Sequence, residues 1–210
     1  MSFEIAGYQW VVNLMLRRLG ILIVALSVSL SWAPELLAQA SDSSDSSEYL
    51  IKAGFIYNFA KFVEWPATAF AQPDSPIVIG ILGTDPFGTL IDRIVENKKI
   101  GARGVVVKRL KWGMDLKDLK DCKILFVGAS ERAHVDDLVQ IVKSLPILTV
   151  GETPGFAERG GVIRFVLEDN RVRFEVNVDA ARQADLTISS RLLTLARIIQ
   201  QAPPDTRKPG

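Results

Sequence analysis

Hydrophobic positions along the chain fall into blocks whose spacing changes. Between residues 48 and 64 they recur at helical spacing. Tyr49, Leu50, Ala53, Tyr57 and Ala60 share one face, and Ile51, Phe55, Phe59 and Phe62 make a second. Side chains three and four apart lie together on a helix, so the block predicts a helix that is apolar on most sides. Such a helix is central to a core or covered by a partner. Pro66 ends it, because the residue before proline avoids the helical region.

The next blocks are short and continuously apolar. Residues 77–82, 105–110, 124–127 and 148–150 read as strands, the first and third buried on both faces. Between them lie helical patterns at 86–97, opened by Asp85-Pro86, and at 130–144, with Val135, Leu138, Val139 and Val142 inward. Residues 116–121 form a shorter helical stretch. Alternating strands and helices imply a mostly parallel sheet with helices packed on it.

After Gly160-Gly161 the period becomes two. Residues 162–167, a Glu168-Asp169-Asn170 turn and residues 171–176 predict an antiparallel hairpin. Val172, Phe174 and Val176 should face in, with Arg171, Arg173 and Glu175 out. A short helix at 179–184 and a last one at 190–200 follow, the latter carrying Leu192, Leu193, Leu195, Ala196 and Ile199 inward. The fold class expected is therefore α/β: a mostly parallel sheet flanked by helices, with an antiparallel hairpin near the C-terminus.

The N-terminal segment has a different pattern. Arg17 and Arg18 precede an uncharged apolar run at 19–32, and Ala38-Gln39-Ala40 follows. A positive region, an apolar run and an A-x-A site describe a signal peptide over 1–40, cleaved near Ala40. The run is shorter than the ~18–20 residues that a membrane span needs. A start at Met15 would give a signal of ordinary length. Residues 41–47 are a polar, flexible lead-in, 48–201 a single domain, and 202–210 a disordered tail.

Charge and rare residues narrow the function. The 25 Lys and Arg residues balance 24 Asp and Glu and are scattered, which argues against a nucleic-acid surface. Cys122 is the one cysteine, so no intrachain disulfide forms. A small buried side chain is its first interpretation, a redox thiol or an intermolecular disulfide its second. His134 is the one histidine, without a cysteine or second histidine spaced for a metal, so neither a zinc site nor a histidine-based triad is expected. No catalytic residue, metal or cofactor is assigned.

Two binding regions remain. Gly83, Gly128 and Gly151 end predicted parallel strands, where ligands settle in such sheets. Thr84, Ser130 and Glu152 could line a crevice there, although Ser130 is equally a helix cap and 83–88 equally a structural turn. On the first helix, Tyr57, Asn58, Lys61, Phe62 and Trp65 combine an aromatic anchor with polar neighbours, the make-up of an interface hot spot. The bland alternative there is a solvated edge beside a buried tryptophan.

Residues 49–66, YLIKAGFIYNFAKFVEWP, resemble the opening of the YfiR/HmsC-like family of periplasmic proteins. Residues 80–88, GILGTDPFG, and 122–127, CKILFV, are similar to its middle blocks. Residues 161–177 and 188–193 resemble its close. The resemblance implies a periplasmic regulator that represses a membrane-bound diguanylate cyclase by binding its periplasmic part, and that an outer-membrane lipoprotein removes. Relatives that accompany sensor kinases leave the partner open. No catalysis is implied. Disulfides known in the family have no counterpart in a chain with Cys122 alone.

On this reading the chain docks on an inner-membrane signalling protein through Tyr57, Asn58, Lys61, Phe62 and Trp65. Arg164 and Arg173 face the same partner or an anionic ligand. The rival reading is a periplasmic small-molecule sensor for an anionic or aromatic ligand, held by Arg164, Arg173, Thr84 and Ser130. An apolar first helix is also compatible with a homodimer.

Overall fold

The computed structural model describes residues 33–113 and 116–199, with backbone alone at 33–45 and 116–117. The chain divides into two compact units, Met1–Ser46 and Ser47–Gly210. In the first, the described backbone is helical. The expected tail at 202–210 and most of the expected signal peptide lie outside the described residues.

The elements begin with helix α1, Ala33–Phe62, followed by β1, Val63–Glu64, and β2, Ile77–Leu82. Next come α2, Leu90–Val95, β3, Lys99–Ile100, β4, Arg103–Leu110, α3, Leu116–Asp121, and β5, Cys122–Val127. A 3-10 turn at Ala129–His134 leads into α4, Val135–Val142. Then follow β6, Leu148–Gly151, β7, Ile163–Glu168, β8, Arg171–Asn177, and α5, Val178–Gln183. The chain closes with β9, Thr187–Ile188, α6, Ser190–Leu193, and β10, Arg197–Ile199.

Eight strands form one sheet in the order β10-β8-β7-β6-β5-β2-β4-β3. Strands β4, β2, β5, β6 and β7 pair in parallel, β7 and β8 form the antiparallel hairpin, and β10 runs parallel to β8. The expected fold class is therefore the observed one. The hairpin turns through Asp169 at φ 49° and Asn170 at φ 57°. Two successive left-handed residues make the turn whose twist matches that of paired strands, and Asp and Asn adopt it readily.

Strand β5 is buried at all six positions because both sheet faces are covered there. On one face Ile79, Ile81, Ile124, Phe126 and Val150 meet Ala53, Ile56 and Phe59 of α1 and Ile91 of α2. Phe59 stacks on Phe165 at 5.8 Å and meets Phe174 edge-on at 5.2 Å, a pairing that adds to simple area burial. On the other face Leu82, Leu125 and Val127 meet Leu119 of α3 and Val135, Leu138 and Val142 of α4.

The structure departs from the sequence pattern in several places, among them the helix expected at 130–144, which is a 3-10 turn up to His134 and an α-helix only over Val135–Val142. Helix α1 covers Ala33–Phe62 among the described residues, where the pattern placed the helix start at residue 48. Serine and aspartate each disfavour a helix by less than ~0.7 kcal/mol, too little to forbid one. Its buried stripe is Ala53, Ile56, Phe59 and Ala60, so Leu50 and Ile51 are left half exposed. Helix α2 starts at Leu90, not residue 86, because the Asp85 carboxylate accepts the Phe87 and Gly88 amides in a turn that Gly88 completes at φ 53°. The helix expected at 190–200 stops at Leu193, and the chain extends along the β8 edge as β10. Finally, Glu175 was expected to face out and is instead buried, at 4 % exposure.

Candidate functional site

The far end of α1 is fixed from two sides. The Ser189 amide donates to the Phe62 carbonyl at 2.9 Å, and β1 pairs antiparallel with β9. Phe62 and Trp65 are half-buried against the core. The Trp65 indole Nε1 donates to the Lys123 carbonyl at 3.2 Å, so its polar atom is spent within the domain. Tyr57, Asn58 and Lys61 form the outer edge. The Lys61 ammonium stands 4.2 Å from the Tyr57 ring centroid and 3.5 Å from Asn58 Oδ1. Among the described residues no carboxylate pairs with Lys61. Of the five expected interface residues, Tyr57, Phe62 and Trp65 are half-buried against the core, and Asn58 and Lys61 are exposed beside them.

At the strand ends Thr84 and Ser130 are both exposed and bonded to one another. The Thr84 amide donates to Ser130 Oγ at 2.9 Å, and that hydroxyl donates to Glu131 Oε1 at 3.1 Å. Gly83, at φ 88°, is glycine because a Cβ there would lie 2.3 Å from Ser130 Oγ. At Gly151 a Cβ would lie 2.8 Å from the Phe156 ring. These glycines admit this chain's own side chains. Phe87, from the turn at 83–88, fills the adjoining space, edge-on to Tyr49 at 5.6 Å and to Phe126 at 4.7 Å. Glu152 is held by Lys52 at 2.7 Å.

That Lys52–Glu152 pair escaped the sequence pattern. Lys52 lies on the stripe of Ile56 and Phe59, four and seven residues ahead, and a lysine at an inward position was the available signal. Burial opposes its charge, but the bonds from Glu152 and Glu48 outweigh burial and raise its pKa above the ordinary lysine value. Burial, with Glu152 nearby, likewise raises the Tyr49 phenol. Arg109 also went unnoticed. It bridges Asp85 at 3.0 Å, Asp92 and the Gly88 carbonyl at 2.7 Å, and its hydrogen bond holds Asp92 below the usual carboxylate range.

Arg164 and Arg173 share one face of the hairpin, since Arg164 is opposite Glu175 and Arg173 opposite Val166. Arg164 donates to Glu175 Oε2 at 3.0 Å and Arg197 to Oε1 at 3.2 Å. Arg197 also pairs with Glu168. Arg164 is therefore neutralised locally, whereas Arg173 is exposed beside a groove of about 220 Å³ walled by Val166, Leu195 and Arg197.

His134 stacks on Trp112 at 4.3 Å and contacts Glu131 Oε2 at 3.1 Å. Cys122 is fully buried, and burial pushes its thiol up to about 11. Among the described residues no group of acidic, histidine or cysteine side chains could hold a metal, and no helix is long and apolar enough to cross a membrane.

No curated protein matches the chain. Residues 49–197 match the family described as YfiR/HmsC-like, a span from the middle of α1 to the start of β10 that takes in all the other strands of the sheet. The chain belongs to the YfiR/HmsC-like family.

Proposed function

We propose that this protein is a periplasmic regulatory subunit. It docks through the outer edge of α1 on the periplasmic part of an inner-membrane diguanylate cyclase or sensor kinase and represses it. The observation that carries the reading is the Tyr57–Asn58–Lys61 trio: an aromatic ring, an amide and an ammonium within contact distance, with no carboxylate to neutralise the charge among the described residues. Tyrosine is a typical anchor of protein interfaces, and the unpaired ammonium beside it offers a charge to an acidic partner. Phe62 and Trp65, farther along the same segment, are packed against the core, and Trp65 is bonded to the Lys123 carbonyl. Membership of the YfiR/HmsC-like family supports the regulatory class and the compartment. Export by a signal peptide cleaved near Ala40 and removal by an outer-membrane lipoprotein belong to the same reading, which assigns the chain no catalysis and no cofactor.

The test is capture from a membrane extract of the source cell, with captured proteins identified and their cyclase or kinase activity assayed. Capture of one such enzyme, lowered activity on adding the protein, and loss of both with Lys61→Glu are expected. Capture that survives Lys61→Glu and Tyr57→Ala would remove this edge from the interface. Failure to capture any signalling enzyme would overturn the reading itself.

A further inference from the structure

A cavity of about 490 Å³ opens on the α3 side of the sheet, away from both the strand carboxyl ends and the outer edge of α1. Its floor is Val78 of β2 and Val106 of β4, which are register partners. Val106 is 44 % exposed in mid-strand, because no helix among the described residues covers it. One wall is Phe70, from the β1–β2 connection. Arg103 fixes that wall. Its guanidinium lies 3.6 Å over the Phe70 ring and donates to the Gln72 carbonyl at 3.0 Å and the Ser75 carbonyl at 2.8 Å. The connection is thus held open by a built contact.

The opposite rim is cationic. Lys108, Lys120 and Lys123 line it with a single carboxylate, Asp121. Lys123 is 5 % exposed, and its ammonium donates to the carbonyls of Lys120, Asp121 and Cys122 at 3.1, 3.1 and 3.4 Å. That arrangement fastens a positive charge at the end of α3. Lys108 is paired with Asp118 at 2.6 Å and lies 4.0 Å from Asp121, while Lys120 has no carboxylate partner among the described residues and is the cation left for a ligand.

We propose that this cavity binds a small anion built as a flat apolar group with one carboxylate or sulfonate. The apolar part lies on Val78 and Val106 beside Phe70, and the anionic head meets Lys120. The volume falls within the range of about 300–1,000 Å³ typical of ligand pockets, and an apolar floor with few convergent charges is their usual composition. Asp121 on the same rim opposes a multiply charged phosphate, so a single negative charge is the better match. This site does not depend on the docking edge of α1, and either can fail alone.

The probe is 8-anilinonaphthalene-1-sulfonate, with N-phenyl-1-naphthylamine as the same skeleton lacking the charge. Titration followed by fluorescence uses the protein purified from cells in its native processed form. One-site micromolar binding of the sulfonate is expected, with the neutral compound at least tenfold weaker. Val106→Glu and Lys120→Glu each change an exposed position, and each should weaken sulfonate binding at least fivefold without lowering Tm. Leu195→Glu, in the groove beside Arg173, should leave binding unchanged. Equal binding of both compounds, wild-type binding by Val106→Glu and Lys120→Glu, or loss of binding in Leu195→Glu would each overturn the proposal.

Discussion

Lys52 Nζ of α1 stands 2.7 Å from Glu152 Oε2, just past β6, and joins parts of the chain 100 residues apart. Lys52 also pairs with Glu48, and its ammonium lies 4.5 Å from the Tyr49 ring centroid. The Lys52 side chain is 6 % exposed and that of Glu152 13 %. Removing one member of a buried pair leaves the other charged and uncompensated, which costs more than the pair contributes. Lys52→Met should therefore lose roughly 2–4 kcal/mol in urea unfolding, and Lys52→Met with Glu152→Leu should recover at least half. The pH dependence has a fixed sign. Because the folded pKa of Lys52 is raised, its contribution is complete below the unfolded value of 10.5 and is lost as pH rises through the folded one. The stability gap between wild type and Lys52→Met should be flat from neutrality to about pH 9 and shrink above pH 10.5. A gap that widens above that pH would contradict the pairing.

Trp65 and Lys61 are four residues apart and should behave differently. Trp65→Phe keeps an aromatic ring and loses the bond to the Lys123 carbonyl, at about 1 kcal/mol. Trp65→Ala also loses packing against the core and should cost ~3 kcal/mol. Lys61→Glu is an exposed change and should stay within ~0.5 kcal/mol of wild type. Denaturation midpoints of the three variants check this order. If Trp65→Ala proves as stable as Lys61→Glu, the indole is an interface group held in place by little else.

The parallel strands were legible because a strand covered on both faces is a short apolar run with glycine after it, as in β2 and β5. The last helix was not. Leu192, Leu193, Leu195 and Ala196 have helical spacing, but β8 offers an open edge that Arg197–Ile199 completes, and tertiary pairing overrode the local pattern. Thr194 contributes by turning its hydroxyl back to the Arg191 carbonyl at 2.9 Å, where the helix ends. Glu175 misled for a related reason. Alternation placed it correctly on the face opposite Phe174, but that face is covered by Arg164 and Arg197 and not by water. For the candidate site, the sequence pattern indicated the polar edge of α1. It could not indicate the cavity under Arg103, whose walls come from four separate segments.

Glu175 therefore holds β10. Its carboxylate, 5 % exposed, accepts from Arg164 and from Arg197, and Arg197 is its register partner across the β8–β10 pairing. Glu175→Gln halves the charge complement of two arginines and should cost ~2–3 kcal/mol. The loss should be local as well as global. Hydrogen exchange at those β10 amides that bond to β8 should accelerate at least tenfold relative to β5 amides, because an edge strand opens before a central one. Uniform acceleration across both strands would mean that Glu175 supports the whole sheet and not the edge.

Cys122 tests whether the lone thiol has any role at the surface. It is fully buried at the start of β5, its Sγ contacts the Asp118 carbonyl at 3.5 Å, and a Cβ on Gly80 would lie 2.7 Å from the sulfur. The thiolate is the reactive form, and burial pushes this thiol up to about 11 despite Lys108 and Lys123 nearby. At pH 8 the folded protein should react with a disulfide reagent only as fast as it opens, at a rate independent of reagent concentration once the reagent is in excess. In denaturant, modification should be complete within the mixing time of an exposed cysteine. A raised folded pKa also means that the thiol's contribution is intact below its unfolded value of 9.0 and falls as pH rises toward about 11. Cys122→Ala should accordingly flatten the decline of stability between those values, at a cost near neutrality of about 1 kcal/mol for the small cavity left beside Gly80. Rapid second-order labelling of the native protein at pH 8 would instead mark Cys122 as accessible and return a redox role to consideration.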